Sequence, residues 1–457
     1  MLFTTDKQTL DDLNIFGRHG GDSVYTIFNR TATRGGAALL EEMFRYPLSD
    51  EQAINRRSGI IQFFSGLGIA FPFKSSLFDA VEPYLDNTDE RTKLVPEEDS
   101  IGRKLGNLIA VDAQTVVIQK GVSSLMDLLK GMYDLIESLN AGRGRAMAGE
   151  DHYGPDKAAI ADLLAEPVFV PIIRQEIRGR LSHTLLAEYD VVFRFRHRDL
   201  ILRLLRYIYQ LDVYLSIGRV ASERNFIFPK AYPGDRHMLT VEGVYHPQVK
   251  GAVGNSLRIT PESNLIFLTG ANMAGKSTFM KSLSIALFLA HMGFPVPATR
   301  MEFSVLDGIF TTINLPDNLG MGASHFYAEV LRVKKMAVEL SQGKNLFIVF
   351  DELFRGTNVK DAYEATIAIT SAFAEKRNSL FVISTHIIEA GEVLRERWKN
   401  IAFNYLPTRM NGNTPVYTYT LEAGITADRH GMIIINNEGI LDILKRGKVQ
   451  YPKLKAV

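Results

Sequence analysis

The chain has no cysteine among its 457 residues, which excludes disulfides and thiolate-ligated zinc and agrees with a reducing compartment. It has no excess of either charge. With Lys+Arg 52 against Asp+Glu 51, no global basic field exists to hold nucleic acid by counterion release, so any DNA contact is expected to be a local patch. No stretch approaches the ~20 apolar residues of a membrane span, and the opening MLFTTDKQTL carries acids and polar residues where a secretory signal needs a basic start and an apolar run. A cytoplasmic protein with no membrane partner is expected. Internal repeats and low-complexity tracts are also missing.

What the chain does have is 46% hydrophobic and 10% aromatic residues, enough for well-buried cores in two to four domains. Its character changes near residue 240. Before that point apolar residues recur at helical spacing, and Gly121 to Leu139 and Asp199 to Ile217 read as long amphipathic helices. After it, short apolar strands alternate with helices: Leu265 to Thr269, Phe347 to Phe350, Leu380 to Ser384 and Val416 to Leu421 are strand candidates, in the βα alternation of a parallel sheet. Asn140 to Pro155, rich in glycine and charge, is expected to be an exposed connection. Arg174 to Arg206 holds eight arginines against four acids, which fits a DNA-facing patch or, at least as well, a solvated helical face.

The nine residues Gly270, Ala271, Asn272, Met273, Ala274, Gly275, Lys276, Ser277 and Thr278 follow the apolar run Leu265 to Thr269 and precede the apolar-periodic Phe279 to His291. Gly270, Gly275, Lys276 and Ser277 fit G-x-x-x-x-G-K-[ST], the spacing of a phosphate-binding loop. Glycines let successive N–H groups approach phosphate oxygens at a helix N-terminus, the lysine meets the β- and γ-phosphates, and the serine holds Mg²⁺. A glycine-rich turn that merely joins strand to helix is the plainer alternative. The strand before and the helix after favour the nucleotide site.

Leu346 to Phe350 is an apolar strand ending in Asp351 and Glu352. At the C-terminal end of such a strand Asp351 is expected on the metal side and Glu352 beside the attacking water as general base. An acidic pair after a strand is common by itself; the phosphate loop about 75 residues upstream gives it meaning. The next apolar strand ends in Ser384, Thr385 and His386, where a histidine can sense a γ-phosphate.

These residues resemble the ATPase of the MutS family of DNA mismatch-repair proteins, within the ABC-type ATPases. TGANMAGKST is similar to the family's TGPNMxGKST, with Ala271 in place of proline; DELFRGT (351 to 357) resembles DEIGRGT, and STHIIE (384 to 389) resembles its ATH-Y-F-E segment. Residues 322 to 329, GASHFYAE, resemble G-R-S-T-F-x-x-E, with Ala323 and His325 departing from the family's arginine and threonine. Tyr245-His246-Pro247 resembles the HP segment before the phosphate-loop strand, Gly424 to Gly431 the G-x-A-x-x-S-x-G turn, and residues 14 to 57 the start of the family's helical core.

The resemblance implies an α/β ABC-type P-loop ATPase and dimerisation domain at 241–457, preceded by an all-α core and lever domain at 1–240 with a shortened or missing clamp. It also implies a chain without the N-terminal mismatch-reading domain. ATP and Mg²⁺ are the implied cofactors, Ser324 the residue that reaches a partner's γ-phosphate in a homodimer, and Tyr419 the aromatic that stacks on adenine, with an exposed strand tyrosine as its plainer reading. The implied work is ATP hydrolysis coupled to clamping DNA, duplex, mismatched or branched, with a downstream repair protein as a further partner and a nucleoid-associated location. A recombination factor that binds branched DNA, and an ATP-gated interaction scaffold that touches no nucleic acid, are the alternatives.

Overall fold

The computed structural model describes residues 3–17, 21–94, 108–142, 151–175, 181–313, 325–354, 356–411, 414–426 and 439–446. The chain divides into two compact units, one of residues 26–46 and 56–224, the other of residues 1–25, 47–55 and 225–457. A single cut near residue 240, as the change of sequence character predicts, does not describe this division. The difference lies at the N-terminus, where local contacts tie helix Lys7–Asp12 to a strand some 300 residues away.

In the unit of residues 26–46 and 56–224, the described residues form helices and no strand. The two predicted helices lie within Leu108–Ala141 and Arg198–Arg224, each extended beyond its predicted ends. The predicted connection at 140–155 is shorter at both ends: one helix runs to Ala141 and the next starts at Gly154, with Pro155 in its first turn, where a missing N–H costs nothing. Helix Arg34–Arg45 is capped by Thr33, whose hydroxyl accepts from Gly36 N–H at 2.9 Å and donates to the buried Asp212 at 2.7 Å. Nor does the arginine-rich stretch lie wholly at the surface. Arg194, in the π-helical turn Val191–Arg196, is fully buried against Asp190, while Arg178 and Arg180 fall outside the described residues.

The other unit is mixed α/β. Its strands are β1 (Lys230–Tyr232), β2 (Leu239–Val244), β3 (Asn255–Ile259), β4 (Leu265–Gly270), β5 (Arg300–Ser304), β6 (Gly308–Thr312), β7 (Leu346–Phe350), β8 (Leu380–Ser384), β9 (Ile401–Leu406), β10 (Thr408–Asn411), β11 (Thr414–Tyr417) and β12 (Glu422–Ala423). Among the described residues, six form a sheet in the order β12-β9-β4-β8-β7-β6, parallel except for β12. A second sheet runs β1-β5-β2-β3, and β10 pairs with β11 as a separate hairpin.

Every residue of β4, β6, β7 and β8 is buried, as strands in a sheet covered on both faces should be. Leu265, Phe267, Ile348, Phe350, Phe381 and Ile383 alternate onto one face, where they pack with side chains of helices His325–Ser341, Val359–Ala374 and Ile388–Arg397. Helix Lys276–His291 packs against β2, β4 and β6 and is buried along nearly its whole length. Thr4 extends the sheet beyond β6 through a parallel bridge to Gly308, and the buried Asp12 accepts from Thr311 Oγ1 at 2.8 Å and Ile313 N–H at 2.9 Å. The predicted strand Val416 to Leu421 is a correction: β11 stops at Tyr417, and Tyr419 takes a φ of 55°, outside the range of an extended strand. Among the described residues, no helix is long and apolar enough to cross a membrane.

Candidate functional site

The C-terminal ends of three neighbouring parallel strands, β4, β8 and β7, deliver the candidate residues to one place. β4 ends at Gly270 and leads into the loop 271–275, from which helix Lys276–His291 starts. Gly275 closes the loop at a φ of 99°, and a Cβ there would lie 2.9 Å from the ring of Tyr419, so both backbone conformation and space require glycine. Met273 holds a φ of 69° without that freedom, and its side chain is exposed. Ala274 is buried inside the loop. The first N–H groups of the helix, next to the loop, have no intrahelical acceptor.

The loop borders a cavity of about 560 Å³, a size that suits a small-molecule ligand. Ala271, Asn272, Met273, Gly275, Lys276, Ser277 and Thr278 line it from the loop and helix, and Glu352 and Tyr419 line it from elsewhere. Lys276 is buried, and its Nζ donates to Gly270 O at 2.8 Å and Ala271 O at 3.1 Å, folding the side chain over the loop. Burial pushes the lysine pKa down, while the charges of Asp351 and Glu352 act in the opposite direction.

Asp351 follows β7 directly, with its N–H donating to Thr312 O of β6 at 2.9 Å. Ser277 Oγ donates to Asp351 Oδ2. Asp351 Oδ1 is buried with no hydrogen-bond partner among the described residues. Burial pushes the Asp351 carboxyl up, against the Ser277 hydroxyl that favours its charge. Glu352 takes a φ of 56°, and its Oε1 lies 2.7 Å from His386 Nε2 at the end of β8. Lys276, Ser277, Glu352 and Tyr419, all predicted from sequence, thus line the cavity, with Asp351 bonded to Ser277 and His386 to Glu352. Ser324 lies outside the described residues, as do residues 427–431 of the C-terminal turn.

Several residues that line the cavity carry no role in the sequence pattern. His246, whose pKa burial pushes down, lines the cavity from the segment after β2. Val249 and Val253 add apolar surface, and Asn255 opens β3. His246 stands in the Tyr245-His246-Pro247 segment, which offered a signal; for Asn255 the local trace is only the glycine pair Gly251 and Gly254 before it.

Residues 266–455 match the family model described as MutS domain V. The chain is also 29% identical over 267 residues to the DNA mismatch repair protein MutS of Fusobacterium nucleatum subsp. nucleatum. That similarity covers 57% of this chain and 29% of the relative, so the chain spans well under half the length of the curated protein it matches. The region matched by the MutS domain V model runs from β4 through helix Ile440–Arg446, with the loop, Asp351, Glu352 and His386 inside it.

Proposed function

We propose that the cavity binds ATP with Mg²⁺ and that the chain is an ABC-type phosphate-loop ATPase whose turnover is coupled to holding DNA. The observation that supports this reading best is the convergence of Lys276, the Ser277–Asp351 contact and the Glu352–His386 contact on one cavity at the start of a buried helix. Helix N–H groups and a buried lysine suit anionic phosphate oxygens. Lys276 would exchange the carbonyls of Gly270 and Ala271 for β- and γ-phosphate oxygens. Gly270 to Thr278 would wrap the phosphates, and Tyr419 would cover the base.

The residues present fit Mg²⁺. Ser277 Oγ and Asp351 are hard oxygen donors, and Asp351 Oδ1 is a buried acceptor without a partner. Among the described residues no cluster of three or more metal-ligating side chains exists, which suits an ion that takes its other ligands from phosphate and water. Bound there, Mg²⁺ would neutralise charge on the phosphates. Glu352 would take a proton from the attacking water, and His386, bonded to it, would hold its carboxylate and face the γ-phosphate.

The working unit on this reading is a homodimer, with Ser324 completing the partner's site. Mixing Lys276→Ala with Ser324→Ala subunits should then restore one complete site per heterodimer, and failure of any rescue would count against the shared site. The helical unit would serve as core and lever, and mismatch repair is the process that the relative's name suggests. Filter binding to homoduplex, mismatched and branched DNA over a salt series tests the coupling. Preference for a mispair supports repair recognition; preference for a junction redirects the reading to a branched-DNA factor. Absence of salt-dependent binding would leave an ATP-gated interaction scaffold.

A further inference from the structure

Tyr419 stands in a conformation that its own sequence does not favour. Its φ of 55° lies in the left-handed region, which costs a side chain other than glycine, asparagine or aspartate about 1 kcal/mol or more, so neighbouring groups must hold it. On one side Thr418 is tied to Pro407 O through its N–H at 3.4 Å and its hydroxyl at 3.0 Å. On the other side the anchor is Asn255. Its Nδ2 donates to Tyr419 O at 2.9 Å, and its Oδ1 accepts from Leu421 N–H at 2.6 Å. Only one orientation of the amide satisfies a carbonyl and an N–H together.

Asn255 is itself rigidly placed. It is 7% exposed, opens β3, and pairs with Val244 beyond an irregularity in β2, where Gly243 N–H donates to Ser256 Oγ at 3.0 Å. The amide thus carries the position of a sheet into a segment without regular structure. That segment sets the Tyr419 ring against Gly275, and Asn255 and Tyr419 both line the cavity.

We propose that Asn255 is a positioning residue that clamps the backbone on both sides of Tyr419 and thereby sets the cavity's preference for a base-bearing nucleotide over a bare polyphosphate. This inference rests on the nucleotide reading. Asn255 touches no phosphate-binding group, since its bonds go to Tyr419, Leu421 and, at 3.4 Å, Val253 O. Its loss should therefore be felt at the base end alone.

The test is calorimetric binding of ATP and of inorganic tripolyphosphate, each with Mg²⁺, to the full chain and to Asn255→Ala, Tyr419→Ala and the double variant. Asn255→Ala should weaken ATP about tenfold, the worth of one or two hydrogen bonds, and leave tripolyphosphate within twofold. The double variant should lose no more than Tyr419→Ala alone. In turnover the KM for ATP should rise with kcat within twofold. Asn255→Leu keeps the volume but has neither the donor for Tyr419 O nor the acceptor for Leu421 N–H, so it gives the same selective loss without opening a hole. Equal weakening of both ligands, no change in either, or additive losses in the double variant would overturn the proposal while leaving the nucleotide site standing. A wild-type chain that binds neither ligand overturns both.

Discussion

Glu352 Oε1 and His386 Nε2 lie 2.7 Å apart across the ends of two adjacent parallel strands, and Glu352 reaches that position from a left-handed backbone. A carboxylate so placed is bonded to the imidazole and borders the cavity. Replacing it with glutamine keeps the shape and removes the base. Glu352→Gln should bind ATP within a few-fold of the parent while kcat falls by about 10² or more. Phosphate release and nucleotide binding check the two halves separately, and turnover at the parental rate would remove Glu352 from the chemistry. His386→Ala should lower kcat by less, since it leaves the carboxylate in place.

Lys276 and Asp351 should separate binding from metal use. Lys276→Ala removes the buried cation beside the loop and should abolish ATP binding. Asp351→Asn should keep nucleotide but lose the Mg²⁺ dependence of turnover. Because burial pushes the Asp351 carboxyl above its ordinary value, its protonation competes with metal at a pH above the usual carboxylate range of about 4. Mg²⁺ titrations at falling pH should show a rising half-saturation in the parent and none in Asp351→Asn.

His291 makes stability depend on pH. Fully buried, it donates from Nδ1 to Leu287 O at 2.9 Å and accepts at Nε2 from Leu306 N–H at 2.9 Å, so both nitrogens are committed to the neutral ring. Burial pushes its pKa down to about 4, from 6.5 for a free histidine. The contribution is complete above pH 6.5 and is lost as the pH falls from there towards 4, where the unfolded chain takes up a proton that the folded one refuses. The span corresponds to roughly 3 kcal/mol. Urea unfolding at pH 7.5 and 4.5 should show this loss, and His291→Gln should flatten it.

In the helical unit the test falls on Arg194. Its guanidinium meets both oxygens of Asp190 at 2.5 Å, Thr92 Oγ1 at 2.9 Å and Asn87 O at 3.1 Å, with both charged side chains fully buried. Tyr84 OH donates to Asp190 at 2.9 Å, and burial beside that carboxylate raises its pKa, so it remains a donor. Arg194→Met strands a buried charge and should cost about 3–5 kcal/mol in urea unfolding, much of it recovered when Asp190→Leu is added. A loss below about 1 kcal/mol would mean that water reaches the pair.

The parts of the fold legible in the sequence were those where burial leaves an unbroken mark. Leu346–Phe350 and Leu380–Ser384 are apolar throughout because both sheet faces are covered, and the loop 270–278 declares itself by spacing. β6 and β9 are neighbours of the same strands, yet GIFTT and IAFNYL carry polar residues and gave no such mark. The sequence around Tyr419 alternates as a strand does, whereas its left-handed turn is held by Asn255, 164 residues earlier. The attachment of the N-terminal helix to β6 was illegible for the same reason: Asp6, Thr9 and Asp12 look like a solvated helix start until Arg332 and Thr311 are placed beside them.

That attachment governs how the molecule is made. Thr4 and Asp12 are synthesised about 300 residues before Gly308 and Thr311, so the outer border of the six-stranded sheet cannot be finished until the chain has grown past β6. A recombinant fragment beginning at Asn225 would carry every residue that lines the cavity and still present the naked border of β6, an open template for self-association.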